Sequence, residues 1–87
     1  MTIYGLAVEH ANGRQTVWHG EHGLVAFYQC ELPYDVSQEA FGDKNFRGYV
    51  VHKDVNHHAV HAPGVYSNFR NEVVQTSTAI EHPERIL

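Results

Sequence analysis

The sequence has little of what small proteins use for reinforcement or for binding nucleic acids. It contains one cysteine, Cys30, so no disulfide can form within its 87 residues. Six Lys and Arg residues stand against ten Asp and Glu residues, giving a formal net charge of -4. No basic cluster is present, which disfavours nucleic-acid binding. No apolar run approaches the length of a membrane-spanning helix, and Met1 to Tyr4 lack the features of a signal peptide, so export would be signalled elsewhere or in a longer precursor.

Histidine is the residue type that is over-represented, with eight in the chain. Protonating all of them would move the formal charge from -4 to +4, so we consider a module whose association responds to pH near 6. His57, His58 and His61, with His52 nearby, raise the question of a metal site. On a strand His57 and His58 face opposite sides, and no second cysteine is available. We therefore expect surface or loop histidines, no metal and no cofactor.

The remaining pattern predicts an all-β fold of short segments rich in Val, Tyr, Phe and Thr and separated by Gly, Asn and Pro. Strands are expected over residues 2–10, 14–18, 24–31, 47–52, 55–61, 64–69 and 73–81. Residues 33–46 form the longest predicted loop, with one helical turn capped by Ser37 and ended by Gly42. Residues 82–87 are expected to leave the fold as a tail.

The segment from Leu24 to Glu31 is the most apolar strand of the chain, and it ends where a carboxylate meets Leu32-Pro33-Tyr34. Alternation along the strand places Gln29 and Glu31 on one side and Cys30 on the other. We expect Cys30 to be a small buried hydrophobic residue. A strand-end Glu is either a solvated or salt-bridged residue or a catalytic one, and residue types alone leave both open.

Several strings of residues, in the same order over nearly the whole chain, resemble the C-terminal part of pectate-lyase-like β-helix proteins related to family-55 glycoside hydrolases, which are β-1,3-glucanases. The most specific is within the string Phe27-Tyr28-Gln29-Cys30-Glu31-Leu32-Pro33-Tyr34-Asp35. The other matching strings are residues 4–10, 15–20, 48–51, 55–66 and 79–83.

This resemblance implies a short right-handed parallel β-helix of a few coils, in which residues 1–87 form a single module of a larger protein or a minimal version of one. It also implies that Glu31 is the general acid of an inverting β-1,3-glucan hydrolase, with Gln29 and Tyr34 lining the sugar site. The partner would be a β-glucan-like polysaccharide, at an extracellular or cell-surface location. Full-length members are several times longer, so this chain is too short to hold their complete active site.

Flat aromatic rings suit the apolar faces of sugars, and Trp18 and Tyr34, which lie close to turns, are the aromatic residues we expect to bind substrate. We expect Tyr28, Tyr49 and Tyr66 in the core. A second class of function is also open, because a short β-helix has open strand edges at both ends. The chain would then be a non-catalytic extracellular subunit that binds carbohydrate or self-associates through those ends, as an oligomer or a filament.

Overall fold

A computed structural model describes residues 1–84, in which the chain forms six strands and one helical turn. The expected tail, residues 82–87, therefore lies partly outside the described residues. The strands are β1 (Thr2–Glu9), β2 (Val17–Trp18), β3 (Gly23–Glu31), β4 (Tyr49–Val51), β5 (His58–Tyr66) and β6 (Ile80–Glu81), with the helical turn at Gln38–Gly42 between β3 and β4.

The strands form two sheets, and every pairing among them is parallel. One sheet has the order β1-β3-β5, and we call it the long sheet; the other, the short sheet, has the order β2-β4-β6. The chain therefore alternates between the two sheets, adding one strand to each in turn. The all-β prediction is confirmed, and the sheets are parallel.

The long sheet bends at one residue of each of its strands. Gly5, Phe27 and Ala62 all have positive φ, at 75°, 62° and 53°, and strand pairing continues on both sides of them. A single residue in the left-handed conformation turns the chain and shifts the alternation of inward-facing and outward-facing side chains by one residue. On β3, Val25 and Tyr28 are buried whereas Phe27, between them, is 71% exposed. We call Gly5, Phe27 and Ala62 the bend column.

The core lies on the inner side of the long sheet, where side chains from the three strands stack in columns. The central residue of each column comes from β3, and Val25, Tyr28 and Cys30 are all at most 2% exposed. The three columns are Ile3-Val25-Val60, Leu6-Tyr28-Pro63 and Val8-Cys30-Val65. Burial of Cys30 confirms its prediction as a small core residue, and the same burial raises the pKa of its thiol.

The two sheets are joined through the hydroxyl group of Tyr28. It donates a hydrogen bond to the backbone oxygen of Gly48 at 2.6 Å and lies 2.9 Å from the hydroxyl of Thr16. Thr16 immediately precedes β2 and Gly48 immediately precedes β4. Gly48 has no room for a side chain, because a Cβ there would lie 2.7 Å from Val65 and 2.9 Å from the sulfur of Cys30.

The loop after β3 is anchored by its helical turn. Ser37 caps the turn by accepting a hydrogen bond from the backbone N–H of Ala40, as predicted, and the N–H of Asp43 bonds to the oxygen of Gln38 across a wide π-type turn. The side chain of Gln38 donates to the backbone oxygen of Gln75 at 2.9 Å and accepts from its N–H at 2.7 Å. These bonds tie the loop to the segment before β6.

Three local predictions were wrong. Residues 58–66 form one strand rather than two, because β5 lies at the edge of its sheet, where Pro63 is tolerated. Residues 73–79 were predicted as strand, but the strand there is limited to Ile80–Glu81. Tyr66, predicted in the core, lies on the outer face of β5 and is 56% exposed; Tyr28 and Tyr49 are buried as predicted.

Candidate functional site

The carboxylate of Glu31 lies at the end of β3, where the backbone is held from both sides. The N–H of His10 bonds to the Glu31 oxygen at 2.8 Å, and the N–H of Leu32 bonds to the Tyr66 oxygen at the same distance. Glu31 is aligned with Glu9 on β1 and with Tyr66 on β5. The strand therefore ends at Glu31, as predicted, with its side chain on the outer face.

Two neighbouring side chains orient this carboxylate. His10 Nε2 and the Tyr34 hydroxyl each lie 2.8 Å from Glu31 Oε1, and the Glu31 side chain remains 29% exposed. The rings of His10 and Tyr34 are also in contact, with centroids 4.4 Å apart. His10 reaches this place because it adopts a left-handed backbone conformation directly after β1. We call Glu31, His10 and Tyr34 the carboxylate triad.

The triad is also supported by an ion pair between the loop that follows β3 and the loop that follows β5. Arg70 bonds to the Asp35 carboxylate through Nε, at 3.1 Å, and through Nη2. Its guanidinium carbon lies 4.7 Å from the centre of the Tyr34 ring. The Arg70 N–H also bonds to the Tyr34 oxygen at 3.0 Å. Tyr34 is thus held on its backbone and on its ring face while its hydroxyl reaches Glu31.

These contacts shift the pKa values of Glu31 and Tyr34. The pKa of Glu31 is lowered, because His10 and Tyr34 donate hydrogen bonds that favour the charged carboxylate. The pKa of Tyr34 is raised, since its hydroxyl is bonded to that carboxylate. A general acid at neutral pH needs a raised carboxyl pKa, so the triad as it stands favours a carboxylate that accepts hydrogen bonds.

Gln29 lies on the same outer face as Glu31, as the alternation predicted, and its side chain is exposed. Its partners across the sheet are small, Ala7 on β1 and Gly64 on β5. The ring of Tyr66 lies over Gly64, because a Cβ built there would be 2.9 Å from the Tyr66 hydroxyl. The result is a shallow surface on which an amide, a carboxylate and an aromatic ring are exposed side by side.

Trp18 does not join the other three predicted site residues. It is half-buried at the end of β2, where its ring lies against His58 with centroids 5.1 Å apart and covers Gly23. Gly23 is the first residue of β3 and Glu31 is the last. Trp18 therefore belongs to the opposite end of this strand from the carboxylate triad.

Sequence reasoning missed His10, Arg70 and Tyr66 as neighbours of the site. For His10 a signal existed, because Glu9-His10 follows an apolar strand and the parallel register pairs Glu9 with Glu31. Arg70 lies in a loop without a motif, 35 residues from Asp35 in sequence, and no local pattern connects the two.

A cavity of about 420 Å³ is lined by residues that follow β1, β3 and β5. Asp35 lines it, so it borders the Arg70 ion pair. The other lining residues are Asn12, Val36, Ser37, Ala40, Phe41, Asn71 and Glu72. The lining combines amide, hydroxyl and carboxylate groups with apolar side chains, a mixture that suits a polar ligand with an apolar face.

Four of the eight histidines lie in pairs near turns. The rings of His22 and His57 are stacked 4.5 Å apart, and His19 and His52 are 4.6 Å apart. Across residues 1–84, no three His, Cys, Asp or Glu side chains are arranged to hold a metal ion. Within the same residues, no helix has the length and apolar character required to cross a membrane.

Parts of this chain are similar in sequence to known proteins. Residues 1–31 match the family model of the LAM55 pectate lyase-like domain, a match that runs from the start of the chain to Glu31. Over 50 residues the chain is 42% identical to an exo-beta-1,3-glucanase of Streptomyces sp. (strain SirexAA-E / ActE). That match covers 56% of this chain and 8% of the glucanase. No solved structure matches the chain.

The family resemblance predicted from the sequence is thereby confirmed, and the chain is related to pectate-lyase-like proteins of the LAM55 type and to a β-1,3-glucanase. It corresponds to only a small part of the glucanase's length.

Proposed function

We propose that this chain is a glycan-related module built as a right-handed parallel β-helix. Three successive coils, each with one strand in each sheet, are formed by β1 with β2, β3 with β4, and β5 with β6. The alternation between the two sheets and the parallel pairing in both support this arrangement. Crossover connections between parallel strands are almost always right-handed.

The proposed role of the module is to bind a β-1,3-glucan on the outer face of the long sheet, around the carboxylate triad. The observation that carries this proposal is the geometry of Glu31, a partly exposed strand-end carboxylate. Both of its side-chain hydrogen bonds end on Oε1. The second oxygen, Oε2, can accept from a sugar hydroxyl without displacing His10 or Tyr34. Gln29, two residues earlier on the same face, adds an amide donor and acceptor.

The name of the glucanase relative supports the choice of glycan, because the chain is 42% identical to it over 50 residues. A polysaccharide partner also supports an extracellular or cell-surface location for the module. Trp18, at the far end of β3, would contact only a ligand that extends along the whole strand.

Hydrolysis is a second candidate function, with Glu31 as general acid of an inverting reaction. It is favoured by the relation to an exo-beta-1,3-glucanase. In this role Glu31 would protonate the leaving oxygen while a second group positions water on the opposite face of the sugar. The hydrogen bonds from His10 and Tyr34 oppose protonation, so a substrate would have to take over at least one of them before Glu31 could act as an acid.

Affinity electrophoresis in gels containing laminarin, a soluble β-1,3-glucan, tests the binding proposal. We expect the wild type to be retarded and Glu31→Gln to be retarded less, because the amide keeps the shape of the side chain but loses its charge. Glu39→Gln is the matched control, since Glu39 is an exposed glutamate on the helical turn. Equal retardation of all three proteins would contradict the role of Glu31.

Release of reducing sugar from laminarin tests hydrolysis separately. Activity in the wild type that disappears in Glu31→Gln would support the acid role. Retardation without any sugar release would leave a binding module, and the catalytic candidate would be wrong.

A self-associating structural subunit is the alternative that the geometry also supports. In the proposed β-helix the third coil has no successor among residues 1–84, and a cavity of about 520 Å³ opens there between β5 and β6, lined by apolar residues that include Val51, Val60 and Ile80. A second copy of the chain docked on this end would cover them. Sedimentation velocity at micromolar concentration tests this, and a stable monomer would contradict it.

A further inference from the structure

Phe27, on the outer face of the long sheet, is an aromatic residue at a position where it does not stabilise the fold. Phe27 is 71% exposed, so its ring contributes little to the core. Its φ of 62° lies in the left-handed region, which is unfavourable by about 1–2 kcal/mol for a residue with a Cβ. Glycine, as found at Gly5 in the same bend column, would meet the backbone requirement without this penalty.

The surroundings of Phe27 leave the ring open to a ligand. Its neighbours in the bend column are Gly5 and Ala62, which are too small to cover it. Tyr4, on β1, pairs with Ala26, the residue before Phe27, and is 75% exposed. Two large exposed aromatic side chains thus lie on neighbouring strands, one residue apart in register.

The position of Phe27 connects it to the carboxylate triad. Gln29 follows it by two residues and Glu31 by four, so along the strand they lie about 7 Å and 13 Å from it. The outer residues from Phe27 to Glu31 therefore form one continuous path on β3, aromatic at the bend and polar at the end. A linear ligand that meets both parts needs apolar faces and many hydroxyl groups.

We propose that Phe27, with Tyr4 on the neighbouring strand, is a stacking platform for a sugar ring of a β-glucan chain, about 13 Å along the strand from the unit that contacts Glu31. The inference rests on the proposed function, because the glucan is the ligand assigned to that end of the strand. Aromatic rings suit this task, since their flat apolar faces pack against the apolar face of a pyranose. The platform extends the glycan surface from the triad to the bend.

The bend column supplies a test in which binding is expected to weaken without a loss of stability. In Phe27→Gly the ring is removed and the left-handed backbone becomes unstrained, so the midpoint of thermal unfolding is expected to stay the same or rise. Retardation by laminarin in affinity electrophoresis is expected to weaken about five- to tenfold, the change that corresponds to losing one aromatic contact of about 1 kcal/mol or slightly more.

Two controls are available in the chain. Ala62→Gly relieves the same backbone strain in the next strand without removing a ring, and it should bind laminarin as the wild type does. Val73→Ala removes an apolar side chain that is 83% exposed outside the long sheet, and it should also leave binding unchanged. Phe27→Asn provides a second ring-free variant, because asparagine tolerates positive φ.

The outcomes separate this inference from the proposed function. Loss of retardation in both ring-free variants, with normal retardation in both controls, would support the platform. Wild-type retardation in Phe27→Gly, combined with a loss in Glu31→Gln, would overturn the platform alone. An absence of retardation in the wild type would overturn both. If removing the ring changed only the sedimentation coefficient of the protein, the face would be a contact between copies and the inference would be wrong.

Discussion

The hydroxyl group of Tyr28 offers the sharpest test of how the two sheets are held together. It is buried, it donates to the Gly48 oxygen at 2.6 Å, and it lies 2.9 Å from the Thr16 hydroxyl. In Tyr28→Phe the ring stays in its column, and only the oxygen is lost. The Gly48 carbonyl and the Thr16 hydroxyl then lose their shared partner inside the protein.

The expected destabilisation follows from those lost bonds. Leaving a buried polar group without a partner destabilises a protein by about 1–3 kcal/mol, and we expect about 2 kcal/mol here. For a domain of this size each kcal/mol lowers the midpoint of thermal unfolding by about 4–8 °C. Tyr28→Phe should therefore unfold roughly 10 °C below the wild type.

Thermal and urea unfolding followed by circular dichroism measures this change, with a lower urea midpoint and an unchanged slope expected. Tyr4→Phe is the matched control, because Tyr4 is on the same sheet and is 75% exposed. That variant should unfold as the wild type does. If Tyr28→Phe were as stable as Tyr4→Phe, the connection between the sheets through this hydroxyl would be refuted.

Three further predictions concern other parts of the fold. Gly48→Ala should lower the midpoint of thermal unfolding, because its Cβ would lie under 3 Å from Val65 and from the Cys30 sulfur. Gly13→Ala is the control and should leave the midpoint unchanged, because a Cβ at position 13 has no atom within 4 Å. Equal midpoints for the two variants would contradict the close packing at Gly48. The pKa of Glu31 is lower in the folded protein than its usual value of 4.5. The contribution of Glu31 to stability is therefore complete at a pH above 4.5 and is lost as the pH falls through the lowered pKa of the folded state. The difference in free energy of unfolding between wild type and Glu31→Gln should therefore decrease in acid. An increase of that difference in acid would contradict this prediction. Glu21→Ala should speed amide hydrogen exchange at Asn56 and His57, whose N–H groups bond to the Glu21 carboxylate at 2.8–3.0 Å, and Glu39→Ala should not.

Local sequence patterns predicted the parts of this fold that depend on neighbouring residues. The strand that ends at Glu31, the burial of Cys30 and the turn capped by Ser37 each follow from a few adjacent residues. The continuity of β5 through Pro63 could not be predicted, because it depends on the strand lying at a sheet edge.

The candidate site was predictable to a similar extent. Gln29 and Glu31 share a face because strands alternate, and Tyr34 follows closely in sequence. The contact between His10 and Glu31 depends on the register of two parallel strands 22 residues apart, which no single strand specifies. The positions of Arg70 and Trp18 could not be predicted either. The position of Arg70 depends on how two loops pack together, and that of Trp18 on which end of β3 it packs against.

The bend column also has a use in engineering. Because its residues face outward at a backbone position that the fold imposes, the side chain there can change from Gly to Phe to Ala without altering the interior. A designer could place aromatic residues at positions 5 and 62 to build a row of rings one strand spacing apart, at a strain of about 1–2 kcal/mol for each non-glycine residue.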